Sequence, residues 1–194
     1  MRKPNGVRST TLKTAKATSL PPRANDHVLP DLLQPGLSVV FCGTAAGTRS
    51  AREGAYYAHP GNLFWPTLFA IGLTPRLIAP AEYPLVTGFG IGMTDLAKFH
   101  YGNDDELPGD AFDVAALRAR IERVAPRVLA FTSKHGGRTA LGKQAGYGLQ
   151  AITWGDTRLF VLPSPSGQAR RSWNEQTWHD LARLVRDQSP GTER

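Results

Sequence analysis

Cysteine is almost absent. Cys42 stands alone in 194 residues, which excludes an intramolecular disulfide and any cysteine-rich zinc site. Long hydrophobic runs are missing as well. No apolar stretch approaches the roughly 18 residues of a membrane span, and no secretory hydrophobic segment follows the start. The expected setting is the cytoplasm, with no membrane partner. Histidine is sparse, and His27, His59, His100, His135 and His179 show no ligand spacing. That pattern predicts no metal site, and no motif asks for an organic cofactor.

Three familiar catalytic signatures are also missing. Gly43-Thr-Ala-Ala-Gly47 follows an apolar run as a phosphate loop would, but it lacks the Gly-Lys-Ser/Thr ending. Gly88-Phe-Gly90-Ile-Gly92 is not the dinucleotide fingerprint G-x-G-x-x-G. Ser164-Pro-Ser166-Gly167 is not the G-x-S-x-G elbow of serine hydrolases.

What is present fits one ordinary domain. Hydrophobic residues make up 41% of the chain, enough for a single packed interior at this length. The 15 prolines and 20 glycines point to shaped loops rather than a helical bundle. Charge is uneven. Of a formal +7, residues 1–26 hold Arg2, Lys3, Arg8, Lys13, Lys16 and Arg23 against Asp26, leaving +2 for the rest. A segment so poor in bulky apolar residues cannot bury enough surface to fold alone. Residues 1–26 are therefore expected to form a disordered basic tail, and 27–194 the folded domain. The tail's charges suit phosphate contacts with release of counterions. A solubilising extension or a transit peptide would carry the same pattern.

Periodicity supplies the elements. Leu37-Ser-Val-Val-Phe-Cys-Gly43 reads as a buried parallel strand. Asn62 stands where it would cap a helix carrying Phe64, Trp65, Leu68, Phe69 and Ile71, with Gly72 as the stop. A short strand is expected near Leu85–Gly90. Val114, Leu117, Ile121 and Val124 share one face of a helix over Asp113–Val124. A strand at Arg127–Thr132 and a helix around Arg138–Gln144 follow. Ala151–Thr153 and Arg158–Leu162 flank the turn Trp154-Gly155-Asp156. Ser172-Trp-Asn-Glu175 has capping-box spacing for a last helix through Leu181, Leu184 and Val185. Strands alternating with helices predict a single α/β domain, a small mostly parallel sheet with helices on both faces. Ligands of such folds bind at the carboxyl ends of strands. Loops 43–61, 88–96 and 163–171 are expected there.

Four segments occur in a fixed order: Gly43-Thr-Ala-Ala-Gly47, Tyr57-Ala-His-Pro-Gly-Asn62-Leu-Phe-Trp65, Gly92-Met-Thr-Asp-Leu96 and Ser164-Pro-Ser-Gly-Gln-Ala-Arg170. Together they resemble the mismatch-specific uracil-DNA glycosylases, bacterial relatives of thymine-DNA glycosylase, over about residues 30–187. The resemblance implies a monofunctional enzyme that flips uracil out of mismatched double-stranded DNA and hydrolyses its N-glycosidic bond, starting base excision repair. Other damaged pyrimidines would fit the same pocket. The implied partner is a duplex carrying G·U or a related lesion, bound by a monomer.

The resemblance also distributes roles. Tyr57 matches the aromatic that stacks on the flipped base, a position that a core aromatic would also suit. Thr44 and Ser50 match positions lining the uracil pocket. Asn62 matches the asparagine of its run, and it also suits a plain helix cap. Ser164 and Ser166 fall where the final loop meets the target sugar and phosphate. Gly167, Gln168 and Ala169 match the wedge that fills the vacated stack, and Arg170 and Arg171 match phosphate contacts, or a solvated surface.

Two departures bear on chemistry. The family's first loop usually reads Gly-Ile-Asn-Pro-Gly, its asparagine holding the hydrolytic water, and Ala45 stands at that position. The wedge is commonly leucine, and here it is Gln168. Asp95, where related sequences often carry lysine, is the candidate catalytic replacement, because a carboxylate can hold and polarise water. A turn cap or an ion pair with Lys98 is the plainer reading of Asp95. If nothing replaces the asparagine, the alternative is a DNA-binding, damage-sensing module without catalysis.

Overall fold

Runs of consecutive buried residues build the inner strands of the sheet. In the computed structural model, which describes residues 27–187, the strands are β1 (Val39–Ala46), β2 (Ile91–Tyr101), β3 (Val128–Phe131), β4 (Gly148–Trp154) and β5 (Thr157–Val161). Their order is β2-β1-β3-β5-β4. The first four in that order run parallel, and β4 pairs antiparallel with β5 across a turn in which Gly155 takes a left-handed φ of 56°. The helices are α1 (Thr48–Glu53), α2 (Phe64–Ala70), α3 (Val114–Val124), α4 (Lys134–Leu141) and α5 (Glu175–Asp187). The fold is thus α/β with a mostly parallel sheet. The basic segment 1–26 lies outside the described residues.

Successive strand residues face opposite sides of the sheet, and two cores result. Val39, Phe41, Ile91, Met93, Val128, Ala130 and Phe160 pack with α2 and α5 through Phe64, Leu68, Trp178 and Leu181. Val40, Cys42, Leu129, Phe131, Leu159 and Val161 pack with α3 and α4 through Leu117, Ile121 and Leu141. Helix α4 lies very close to β5: a Cβ on Gly137 would come within 2.6 Å of Val161. Asp113 caps α3, accepting the Ala116 amide at 2.8 Å.

Four expectations are corrected. No strand forms at Leu85–Gly90. Residues Pro80–Phe89 wind into a 3₁₀ helix, with proline at its start and at Pro84, since a proline ring fixes φ and removes a ladder donor. Loop 88–96 is accordingly not a strand-end loop. The left-handed Gly90 (φ 73°) turns the chain straight into β2, and Asp95 sits inside that strand. Gly43–Ala46, expected as a turn, extends β1, because it keeps pairing with β2. Finally, Ser172 does not cap α5. Its hydroxyl donates to Ala169 O, and Asn174 accepts the Gln176 amide instead.

One further strand-like pairing closes the sheet edge. Leu32 and Met93 exchange both backbone hydrogen bonds, and the Val28 amide donates to Lys98 O. Residues 28–32 therefore cover the outer side of β2. No helix among the described residues is long and apolar enough to cross a membrane.

Candidate active site

Strand β1 lies between β2 and β3. The chain crosses from β1 to β2 on one side and then returns past β1 to β3 on the other, a reversal that opens a crevice beyond the carboxyl ends of the strands. A cleft of about 980 Å³ occupies that position. Thr44, Ser50, Tyr57, Asn62, Asp95, Ser164, Ser166, Gly167, Gln168 and Ala169 all line it, as does Ala45. Arg170 and Arg171 are exposed but do not line the cleft.

The floor is built at Gly43. It pairs with Asp95 across the β1–β2 ladder. A Cβ there would collide with Asp95 Oδ1 and lie 3.6 Å from the Tyr57 hydroxyl. Glycine is thus what lets the carboxylate and the phenol converge over one backbone position. Asp95 is only 4% exposed. Burial pushes its carboxyl up to about 6, with Lys98 and Arg120 opposing the shift and Asp31 adding to it. The pairing with Lys98 does not form, because the ammonium goes to Asp31 at 2.7 Å. Nor does Asp95 cap a turn, since it stands mid-strand.

Tyr57 has a left-handed φ of 52°, an arrangement that costs a non-glycine residue roughly 1–3 kcal/mol. Its surroundings hold it there. Ser50 Oγ accepts the Ala58 amide at 3.1 Å, and Trp65 Nε1 donates to Tyr56 O at 3.1 Å. The Tyr57 ring stacks on Phe64 with centroids 3.8 Å apart. Thr132 donates its hydroxyl hydrogen to Cys42 O, which leaves its oxygen to accept the Tyr57 proton at 3.1 Å. Burial raises the phenol well above its ordinary value, so Tyr57 remains a neutral donor.

The final loop is pinned against the others. Leu63 N–H donates to Pro165 O at 2.8 Å, and Trp178 Nε1 donates to Pro163 O at 3.2 Å. A Cβ on Gly167 would meet Gly61 O at 3.3 Å. Ser166 begins the 3₁₀ turn over Gly167–Ser172 by accepting the Gln168 amide. Asn62 accepts the Phe64 amide at 2.9 Å, so its carbonyl end is engaged at the start of α2.

Sequence reasoning missed the carboxyl end of β3. Thr132, Ser133, Lys134 and His135 line the cleft opposite β2. Ser133 accepts the Gly136 amide and lies 3.1 Å from Thr44 Oγ1, tying the start of α4 to β1. A signal exists: the strand-end rule applied to the apolar run Arg127–Thr132 points to these residues. Asn103, Asp104 and Asp105 also border the cleft, in the segment after β2. Among the described residues, no three His, Cys, Asp or Glu side chains gather where they could share a metal ion.

The family model described as the uracil DNA glycosylase superfamily matches residues 30–183. Among solved structures, a solution NMR structure of a "putative Uracil DNA glycosylase" from Methanosarcina acetivorans is similar, at 23% identity and a TM-score of 0.57. That similarity spans 81% of this chain and 96% of the other. The solved structure shows a similar fold, and the family model, which covers most of the chain, shows the family: the chain belongs to the uracil DNA glycosylase superfamily.

Proposed function

We propose that this protein is a monofunctional glycosylase that excises uracil, and related damaged pyrimidines, from mismatched double-stranded DNA. The observation that carries this reading is the convergence of Asp95 and Tyr57 over Gly43, on the floor of a cleft rimmed by the final loop. An enzyme acting on a base inside a duplex must extrude it into a pocket. Tyr57 offers the aromatic surface for the flipped base, with Thr44 and Ser50 beside it. Ser164 and Ser166 meet the target sugar and phosphate, and Gly167, Gln168 and Ala169 fill the vacated stack. Arg170 and Arg171, outside the cleft, contact flanking phosphates.

Asp95 is the catalytic residue on this reading. Its carboxylate accepts a hydrogen bond from water and takes a proton as the water oxygen attacks C1′. The C1′–N1 bond breaks, and its electron pair leaves with uracil. The same negative charge stabilises the cationic sugar of the transition state. A second reading, a damage-sensing module without chemistry, is favoured by Ala45 alone. Incubation with G·U, A·U and single-stranded uracil substrates, with chelator present, separates the two. Base release supports the enzyme; tight lesion binding with no release on any substrate overturns it.

A further inference from the structure

Behind the cleft floor lies a second, largely buried set of charges that the excision chemistry does not use directly. Asp31 reaches it from the segment covering β2. Its Oδ1 accepts from Thr94 Oγ1 at 2.7 Å and from Lys98 Nζ at 2.7 Å. Its Oδ2 pairs with Arg120 Nε of α3 at 3.3 Å. Lys98, with a side chain only 3% exposed, also donates to Leu29 O at 2.8 Å and to the Tyr56 hydroxyl at 3.3 Å. A second nitrogen of Arg120 donates to the main-chain oxygen of Asp95 at 3.4 Å. Two cations thus face one carboxylate within the set. Burying charges costs several kcal/mol each unless they are compensated, and an ionised Asp95 offsets part of the surplus positive charge.

We propose that Lys98 and Arg120, held in place by Asp31, form a buried counter-charge that fixes the Asp95 backbone and favours its ionised carboxylate at the cleft floor. They are positioning residues: none lines the cleft. The inference rests on the reading of Asp95 as the water-holding group. Lys98 and Arg120 pull the Asp95 carboxyl down against its burial, and Asp31 pushes it up. The other titratable groups facing this region are Cys42 on β1, Tyr56 and Tyr57 before α2, and His27 beside Phe99. Burial raises the thiol and both phenols well above their ordinary values. His27 is lowered, by burial first and then by Lys98, and it needs its own control.

The test follows the Asp95 side-chain carboxyl carbon by NMR from pH 4 to 8, its signal identified by its disappearance in Asp95→Asn. Single-turnover excision of a G·U duplex is profiled over the same range. Asp31→Asn removes a neighbouring negative charge and should move both midpoints down by about one pH unit. Arg120→Gln should move both up by a similar amount, whereas Arg120→Lys, which keeps the charge, should stay near the wild type. His27→Gln should leave both unchanged. A purely structural role would lower melting temperatures without displacing the carbon midpoint, and shifts absent or of equal sign would overturn the proposal. The NMR midpoints decide it whether or not excision is seen. If Asp95→Asn cleaves at the wild-type rate, the catalytic reading of Asp95 fails separately.

Discussion

Asp95 is held at a stability cost, and the cost has a sign. Its carboxyl stands at about 6 against an ordinary 3.8, so the folded state binds the proton more tightly than the unfolded chain. Stability from this group is therefore greatest below pH 4 and declines as pH rises through about 6. By pH 7 the ionised form costs up to roughly 3 kcal/mol. Asp95→Asn should accordingly melt higher than wild type at pH 7 and much closer to it at pH 4. A variant that melts lower at both values would mean that Asp95 is a net stabilising contact. Tyr57 makes a complementary case. Tyr57→Phe keeps the stack on Phe64 and removes only the bond to Thr132, so excision should change little. Tyr57→Ala removes a base-stacking surface worth roughly 1–3 kcal/mol per base and should weaken binding of a uracil duplex accordingly. Equal affinities for the two variants, measured by titration, would put the flipped base elsewhere.

At the scale of elements, the β1–β2 pair carries the site through one missing side chain. Gly43→Ala places a methyl against the Asp95 carboxylate. Either the carboxylate or the ladder must shift, and overpacking of this kind costs roughly 1–3 kcal/mol. The expected result is a lower melting temperature together with loss of excision. An active, equally stable Gly43→Ala would show that the close approach is not required. The same pair explains what is legible in the sequence. β1, β3 and α3 follow directly from their apolar residues, because a core face decides each one, and the β4–β5 turn follows from its glycine. β2 is hidden. Glycines at 88, 90 and 92 suggest a loop, and Asp95 and Lys98 look foreign to a buried strand. Only their tertiary partners, Asp31 and Arg120 among them, make those charges tolerable inside. The order of the four motifs points to the cleft residues, but the floor position of Asp95 depends on pairing that no local pattern encodes. Ser133 and His135 escape notice because Ser-Lys-His reads as solvated surface until it is seen at the end of β3.

For the whole molecule, charge and cleft separate into two tasks. The basic segment 1–26 carries most of the formal +7, while the proposed chemistry lies in the cleft. Deleting 1–26 should weaken non-specific duplex binding and reduce the log–log salt slope by about 0.9 for each phosphate that the segment neutralises. Single-turnover excision at saturating protein should persist. An unchanged slope would mean that these charges do not touch DNA. The most direct test of the central claim, that Asp95 on the floor of this cleft drives base excision, is single-turnover release of uracil from a G·U duplex by wild type and Asp95→Asn. The expected result is release by the wild type and a fall of about 10²-fold or more in the variant, with duplex affinity retained. A folded, DNA-binding Asp95→Asn that releases uracil at the wild-type rate would contradict it.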